Sequence, residues 1–218
     1  MKSKVVAFIP LKLNNERLPG KNTMAFDGGN PLVQYILKTA LAVSLIDEIY
    51  VYCSDESIIN YFPTEGGIRF LKRGKHLDLH TTSINEVIGD FAKDVNADIY
   101  VLLHATAPFL KEKSVSAGIT AVLNGSHDCA FSVTRHQEFL WTEGRANYDV
   151  TRIPRTQDLE PFFVETTGMY VFTKHLASMS CRIGAHPFFV EVSQIEAIDI
   201  NYEIDFQIAN AIFQSKLT

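Results

Sequence analysis

Lys12, Arg17 and Lys21 stand close together on one short stretch, PLKLNNERLPGKN, running from Pro10 to Asn22. Three cations on one loop call for an anion, because ammonium and guanidinium groups neutralise phosphate or carboxylate oxygens. Gly20, in the turn Pro19-Gly20, permits backbone angles closed to other residues, so amides can turn toward the same anion. The order of residues is neither G-x-x-x-x-G-K-[ST] nor G-x-G-x-x-G, which sets aside those two phosphate loops. A solvated basic turn has the same composition, and at this level the two readings stand level.

Two further stretches hold groups able to bind. Gly67 to Ser83 is polar and basic, with Arg69, Lys72, Arg73, Lys75, His76 and His80; a solvated loop explains its composition. Farther on, Arg152, Arg155 and Gln157 suit recognition of an acid: a guanidinium holds a carboxylate bidentately and a Gln amide bonds hydroxyl or acyl oxygens.

The elements that must position these groups follow from apolar spacing. Val5 to Ile9 is a continuous apolar run, a buried strand, and the cationic loop lies at its carboxyl end, where open α/β sheets bind anions. Pro31 to Val43 repeats apolar residues at helical spacing, and Glu48 to Cys53 reads as a second strand. Ser54-Asp55 caps a helix beginning near Glu56. This β-α-β order predicts a parallel sheet. Thr81-Thr82-Ser83 opens a helix whose buried face is Ile84, Val87, Ile88 and Phe91. Strand Asp98 to Leu103, helix Lys113 to Leu123 and strand Cys129 to Val133 continue the alternation. Beyond Thr134 it breaks down: residues 135–168 carry the only Trp, many aromatics and several turn signals, and read as an inserted lobe, where Phe139, Leu140, Trp141, Phe162 and Phe163, if exposed, would suit an interface and otherwise would close a core. A last strand, Phe188 to Val192, leads to a C-terminal amphipathic helix, which Asp205 caps or solvates, with metal ligation as the lesser alternative.

The 218 residues suit one domain, with 46% apolar residues enough for a core. The net charge of -5 gives no broad footprint for a nucleic acid polymer, so any anion site must be local. Cys53, Cys129 and Cys181 form no C-x-x-C pair and read as reduced, buried thiols. No apolar run approaches a membrane span of roughly 18 residues, and the N-terminal apolar part is too short for a signal peptide, so a soluble cytoplasmic protein is expected.

Pro10 to Asn22 resembles the signature loop of the CMP-sugar synthetases, the cytidylyltransferases of sialic acids and of related 2-keto sugar acids such as KDO. Leu18-Pro19-Gly20-Lys21-Asn22 is similar to the sialic acid branch, P-A-R-S-G-S-K-G-L-P-G-K-N, and Arg17 is in register with the Arg of the KDO branch, P-A-R-x-x-S-T-R-L-P-G-K. Lys12 stands where both branches usually have Arg, and Asn14-Asn15-Glu16 where the first has a small, glycine-bearing run. Leu103 to Leu110, LHATAPFL, is similar to L-Q-P-T-S-P-L-R, with His104 for Gln. Arg155 to Phe162 reproduces an Arg, Gln, Pro and aromatic pattern; Thr167-Gly168-Met169-Tyr170 stands for N-G-A-I-Y, without its Asn. Ile198 to Phe206 resembles I-D-I-D-T-E-x-D-F, with Asn201 for the second Asp. The motifs occur in family order over nearly the whole chain.

The resemblance implies a Rossmann-like doubly wound, mainly parallel sheet of the nucleotide-diphospho-sugar transferase type, with 1–218 as one cytidylyltransferase domain and 135–168 as a lobe for dimerisation and substrate. It implies transfer of CMP from CTP to the anomeric hydroxyl of a 2-keto sugar acid, with Mg2+ held by Asp199 and Asn201. Leu11, Lys12, Arg17, Lys21, Asn22, Arg73 and Ser83 would hold the nucleotide, with Lys12, Lys21 and Asp199 catalytic. His104, Thr106, Arg155 and Gln157 would hold the sugar, and the active form would be a homodimer. HATAP lacks the acidic metal ligand that follows this strand in the KDO branch, which favours the sialic-acid-like branch. A nucleotidyltransferase of the same fold for another sugar or nucleotide, or a catalytically lapsed nucleotide-binding relative, is the alternative.

Overall fold

The structure is a computed structural model and describes residues 2–216. In chain order the elements are β1 (Val5–Pro10), α1 (Leu32–Ala42), β2 (Glu48–Cys53), β3 (Ile68–Lys72), α2 (Ile84–Asp94), β4 (Ile99–Leu103), α3 (Glu112–Leu123) and β5 (Cys129–His136). There follow a two-residue hairpin, β6 (Trp141–Thr142) and β7 (Arg145–Ala146), then β8 (Phe162–Thr173), α4 (Lys174–Ser178), β9 (Pro187–Glu191) and α5 (Glu203–Gln214).

Seven strands form one sheet in the order β3-β2-β1-β4-β8-β5-β9. Every pairing is parallel except those of β8, which runs antiparallel to both β4 and β5. The sheet is covered on both sides, so its middle strands are apolar on both faces. Val33, Ile36 and Leu37 of α1 and Val115, Ile119 and Val122 of α3 pack on Ala7, Ile9, Val101 and Val171. On the opposite face Val87, Ile88 and Phe91 of α2, with Leu176 of α4, pack on Phe8, Leu102 and Tyr170. The Phe8 and Phe91 rings stack at 4.2 Å. A third cluster, around Phe26, Phe109, Ile200 and Phe206, fastens the segment after the cationic loop to α5.

From β1 the chain crosses outward to β2 in one direction, while β4 pairs on the other side. The two loops that leave β1 and β4 therefore part at the carboxyl end of the sheet and leave a crevice between them. That topological switch point brings the cationic loop and the HATAP loop together.

Several expectations change in detail. Residues 68–72, read as part of a loop, are the parallel edge strand β3, whose exposed Arg69 and Lys72, three residues apart, mask the strand pattern. The helix capped by Asp55 is a single 3-10 segment, Glu56–Tyr61. The 135–168 region is less separate than an inserted lobe, because its ends belong to β5 and β8, which run on past the sheet as a long antiparallel ribbon. Phe139, Leu140, Trp141 and Phe163 are exposed there, while Phe162 is half-buried with its ring stacked on His136. Cys53 and Cys129 are buried free thiols; Cys181 is only partly covered. Among the described residues no helix is long and apolar enough to cross a membrane.

Candidate active site

The cationic loop is tied in place from several sides. The Leu11 amide donates to the Tyr52 carbonyl at 3.1 Å, extending the β1–β2 ladder by one bond. Gly20 has φ +70°, the left-handed conformation that glycine adopts at no steric cost. The amides of Lys21, Thr23 and Met24 then close the turn onto the carbonyls of Leu18 and Gly20. At those three positions the backbone is consumed by the turn, contrary to the expectation of amides facing the anion, and neutralisation falls to side chains. Asn22 is buried, and its amide donates to the Lys12 carbonyl at 2.9 Å, stapling the loop to itself.

Lys12, Arg17, Lys21, Asn22, Arg73, Leu11, His104 and Thr106 all line one cavity of about 360 Å3. A second recess, about 200 Å3, shares Lys12, Arg17 and Lys21. The three cations expected to hold an anion thus converge on one crevice. A roomier groove, about 580 Å3, runs along α3 beside Phe188, but it shares no residue with the cationic loop.

Lys21 is only 8% exposed and donates to the Ile200 carbonyl at 2.8 Å. Burial pushes its ammonium below the ordinary lysine value, with the Asp199 carboxylate pulling the other way. A phosphate would supply more of the negative charge that this site lacks. Lys12 donates to the Asp78 carbonyl at 2.9 Å, and Arg17 lies over the Tyr202 ring at 5.5 Å. Arg73 is already engaged: its Nε and one terminal nitrogen donate to Asp78 Oδ1 at 3.0 and 2.6 Å, while Ser54 donates to Asp78 Oδ2. Arg73 thus positions Asp78, which in turn positions Lys12.

Ser83 is committed to α2. Its hydroxyl accepts from the Glu86 amide, and the Glu86 carboxylate accepts from the Ser83 amide, a full capping box. Thr82 and Ile84 beside it line the cavity instead. Arg155 and Gln157 lie on the 135–168 ribbon. The Arg155 side chain is 72% exposed and forks onto Asp158 at 2.8 and 3.0 Å, and the Gln157 carbonyl accepts from Gln137. Within one chain neither lines the cavity.

His104 is the first residue past β4, and its amide donates to the Gly168 carbonyl at 3.1 Å. Its Nε2 is buried without a partner. Burial, helped by the Arg182 charge, pushes its pKa down to about 4, so the imidazole is neutral at ordinary pH. Thr106 accepts the Ile200 amide at 2.9 Å, linking the HATAP loop to the segment that carries Asp199.

Asp199 has one buried oxygen, Oδ1, without a partner, and its other oxygen accepts from the Asn201 amide at 2.6 Å. Asn201 therefore positions Asp199 here, and to ligate alongside it the amide must turn over. Among the described residues no group of three His, Cys, Asp or Glu comes together to hold a metal. One orphaned carboxylate oxygen fits a cation that draws its other ligands from phosphates and water, as Mg2+ does, and does not fit a self-sufficient metal centre. Asp205 accepts the amides of Asn201 and Tyr202 at 2.9 and 2.8 Å and caps α5, as expected.

Ser54, Asp78, Tyr170 and Arg182 were not singled out from the sequence as site residues. For Asp78 a signal existed in its spacing from Arg73 within a basic stretch; the others depend on contacts distant in sequence.

A family model described as cytidylyltransferase matches residues 6–216. N-acylneuraminate cytidylyltransferase A of Danio rerio is 22% identical over 215 residues, covering 94% of this chain and 50% of that protein. The 3-deoxy-manno-octulosonate cytidylyltransferase of Escherichia coli is 29% identical over 126 residues, covering 58% of this chain and 47% of that one. The chain therefore spans about half the length of the curated relatives it matches. Among solved structures, a CMP:2-keto-3-deoxy-manno-octonic acid synthetase complexed with CTP superposes with a TM-score of 0.71 at 17% identity, over 99% of this chain and 100% of that one. This likeness agrees with the doubly wound sheet described above. With the family model spanning β1 to α5, the chain belongs to the cytidylyltransferase family.

Proposed function

We propose that this protein transfers CMP from CTP to the anomeric hydroxyl of a sialic-acid-like 2-keto sugar acid, with release of pyrophosphate. The observation that carries the reading is the convergence of Lys12, Arg17 and Lys21 on the crevice at the β1–β4 switch point, beside the half-satisfied carboxylate of Asp199. In such a transfer the sugar oxygen bonds to the α-phosphorus as the bond from that phosphorus to the bridging oxygen breaks, and the hydroxyl proton passes to solvent water. The protein's work is positioning and charge neutralisation.

Lys12 and Lys21 neutralise the triphosphate, with Arg17 at the rim. Asp199, oriented by Asn201, would hold Mg2+ against the phosphates, where the ion supplies charge stabilisation to the departing pyrophosphate. His104 is too weak a base to keep the hydroxyl proton and acts as a neutral hydrogen-bonding group. The absence of an acidic residue in HATAP supports the sialic-acid-like branch over KDO. The exposed aromatic and aliphatic residues of the ribbon support a homodimer, in which Arg155 and Gln157 reach a partner's crevice.

Pyrophosphate release from each of the four NTPs with Mg2+, against sialic, legionaminic, pseudaminic and KDO acids, tests the reading. Release with CTP and a nine-carbon acid is expected, and its loss in Asp199→Ala. Release confined to another nucleotide or to KDO contradicts the substrate assignment, and full turnover by Asp199→Ala contradicts the metal assignment.

A further inference from the structure

Three buried side-chain polar atoms lack a partner among the described residues: His104 Nε2, Thr167 Oγ1 and Asp199 Oδ1. They are scattered in sequence yet gathered in space. His104 bonds through its amide to Gly168, the neighbour of Thr167, and the Asp199 segment bonds through Ile200 to Thr106, two residues past His104. His104 lines the crevice and the other two belong to segments bonded to its loop; buried polar groups are nearly always paired, so three neighbouring orphans mark a place where a polar ligand completes the set.

A cation stands beside them. Arg182, in the turn after α4, lays its guanidinium over the Tyr170 ring at 3.8 Å, and the Tyr170 ring meets the His104 ring at 6.3 Å. Arg182 is close enough to His104 to help hold that imidazole neutral. Its only ion pair among the described residues is loose: one nitrogen lies 3.5 Å from Glu165 Oε1, an oxygen that already accepts from the Tyr170 hydroxyl. Among the described residues only one Arg182 nitrogen has a hydrogen-bond partner, Glu165, so the other N–H groups of the guanidinium fork are free to bind. The Arg182 side chain is 21% exposed, against 72% for Arg155, whose fork is filled by Asp158.

Resting on the cytidylyl-transfer reading above, we propose that Arg182 anchors the carboxylate of the acceptor sugar acid within the same subunit, with His104 and Thr167 taking acceptor hydroxyl groups beside it. A planar fork held on an aromatic ring meets a carboxylate bidentately. The acceptor then lies between this fork and the cations that hold the triphosphate, so its acid end is read by the β8 side of the crevice and not by the ribbon. The substrate class that fits is a sugar bearing a carboxylate next to the attacking hydroxyl.

The test is steady-state kinetics on the whole protein with CTP, Mg2+ and the same four acids, comparing wild type, Arg182→Gln and Arg182→Lys. Arg182→Gln should raise KM for the active acid about tenfold or more while KM for CTP stays within about twofold. Arg182→Lys keeps the charge beside Tyr170 and loses only the planar fork, and should fall between wild type and Arg182→Gln. The wild type should also reject the methyl ester of the active acid, and Arg182→Gln should reject it less. Unchanged acceptor KM in both variants, or equal changes for acid and CTP, overturns the anchor while leaving the cytidylyl-transfer reading intact. A wild type that binds CTP but releases no pyrophosphate with any of the four acids overturns both.

Discussion

At the level of single residues, the crevice is held by groups that are each half-satisfied. Lys21 is a buried cation with the Asp199 and Asp205 carboxylates at a distance, Asp199 is a carboxylate with one oxygen unpaired, and His104 is an imidazole with a buried bare nitrogen. Each is left short of partners in a way that substrate or metal would correct. His104 also gives a pH signature. Its folded pKa of about 4 lies below the ordinary 6.5, so the unfolded chain binds the proton first as pH falls. Stability is therefore lost between about pH 6.5 and about pH 4, by about 3 kcal/mol in all. His104→Gln should abolish that part of the loss, measured as urea midpoints at pH 7 and at about pH 4.5. Parallel pH curves for the two proteins would show that His104 is free to protonate in the fold. Arg73 is the opposite case: two of its nitrogens are taken by Asp78, and it serves the site by holding that residue in place.

Among the elements, the strands and helices with clear apolar spacing were legible from the sequence. The β1 run, α1, α2 and β4 could be read because burial on one or both faces imposes period 3.6 or an unbroken apolar run. The edge strand β3 was not legible, since only part of it is covered and its exposed positions carry Arg69 and Lys72. The cationic loop was legible through its residue types, but not the fate of its amides, which depends on how the turn closes. Arg182 escaped because its meaning comes from Tyr170 and His104, which reach it only through the fold. Ser83 separates element from site. As the cap of α2, Ser83→Ala should cost about 1 kcal/mol of stability in denaturant unfolding. KM for CTP should stay within about twofold; a rise of about tenfold would instead make the hydroxyl a nucleotide ligand.

For the whole molecule, one sheet supplies the crevice and its antiparallel extension supplies a surface. Phe139 and Trp141, which both meet the Tyr148 ring, and Phe163, which meets Phe189, are exposed on that ribbon, Trp141 at 58%, and in the proposed dimer they would supply apolar contact. Sedimentation should report twice the chain mass, and Trp141→Asp should shift the protein toward the monomer; a wild type that sediments as a monomer contradicts the proposed assembly. In the proposed reaction the cations at the β1–β4 switch point would hold CTP so that its α-phosphorus is the atom transferred. Parallel reactions with CTP labelled at the α- or the γ-phosphorus, Mg2+ and the active acid address it directly. The α label should appear in the sugar conjugate and the γ label in pyrophosphate. Transfer of the γ label to the sugar, or its release as orthophosphate without a conjugate, would contradict cytidylyl transfer at this site.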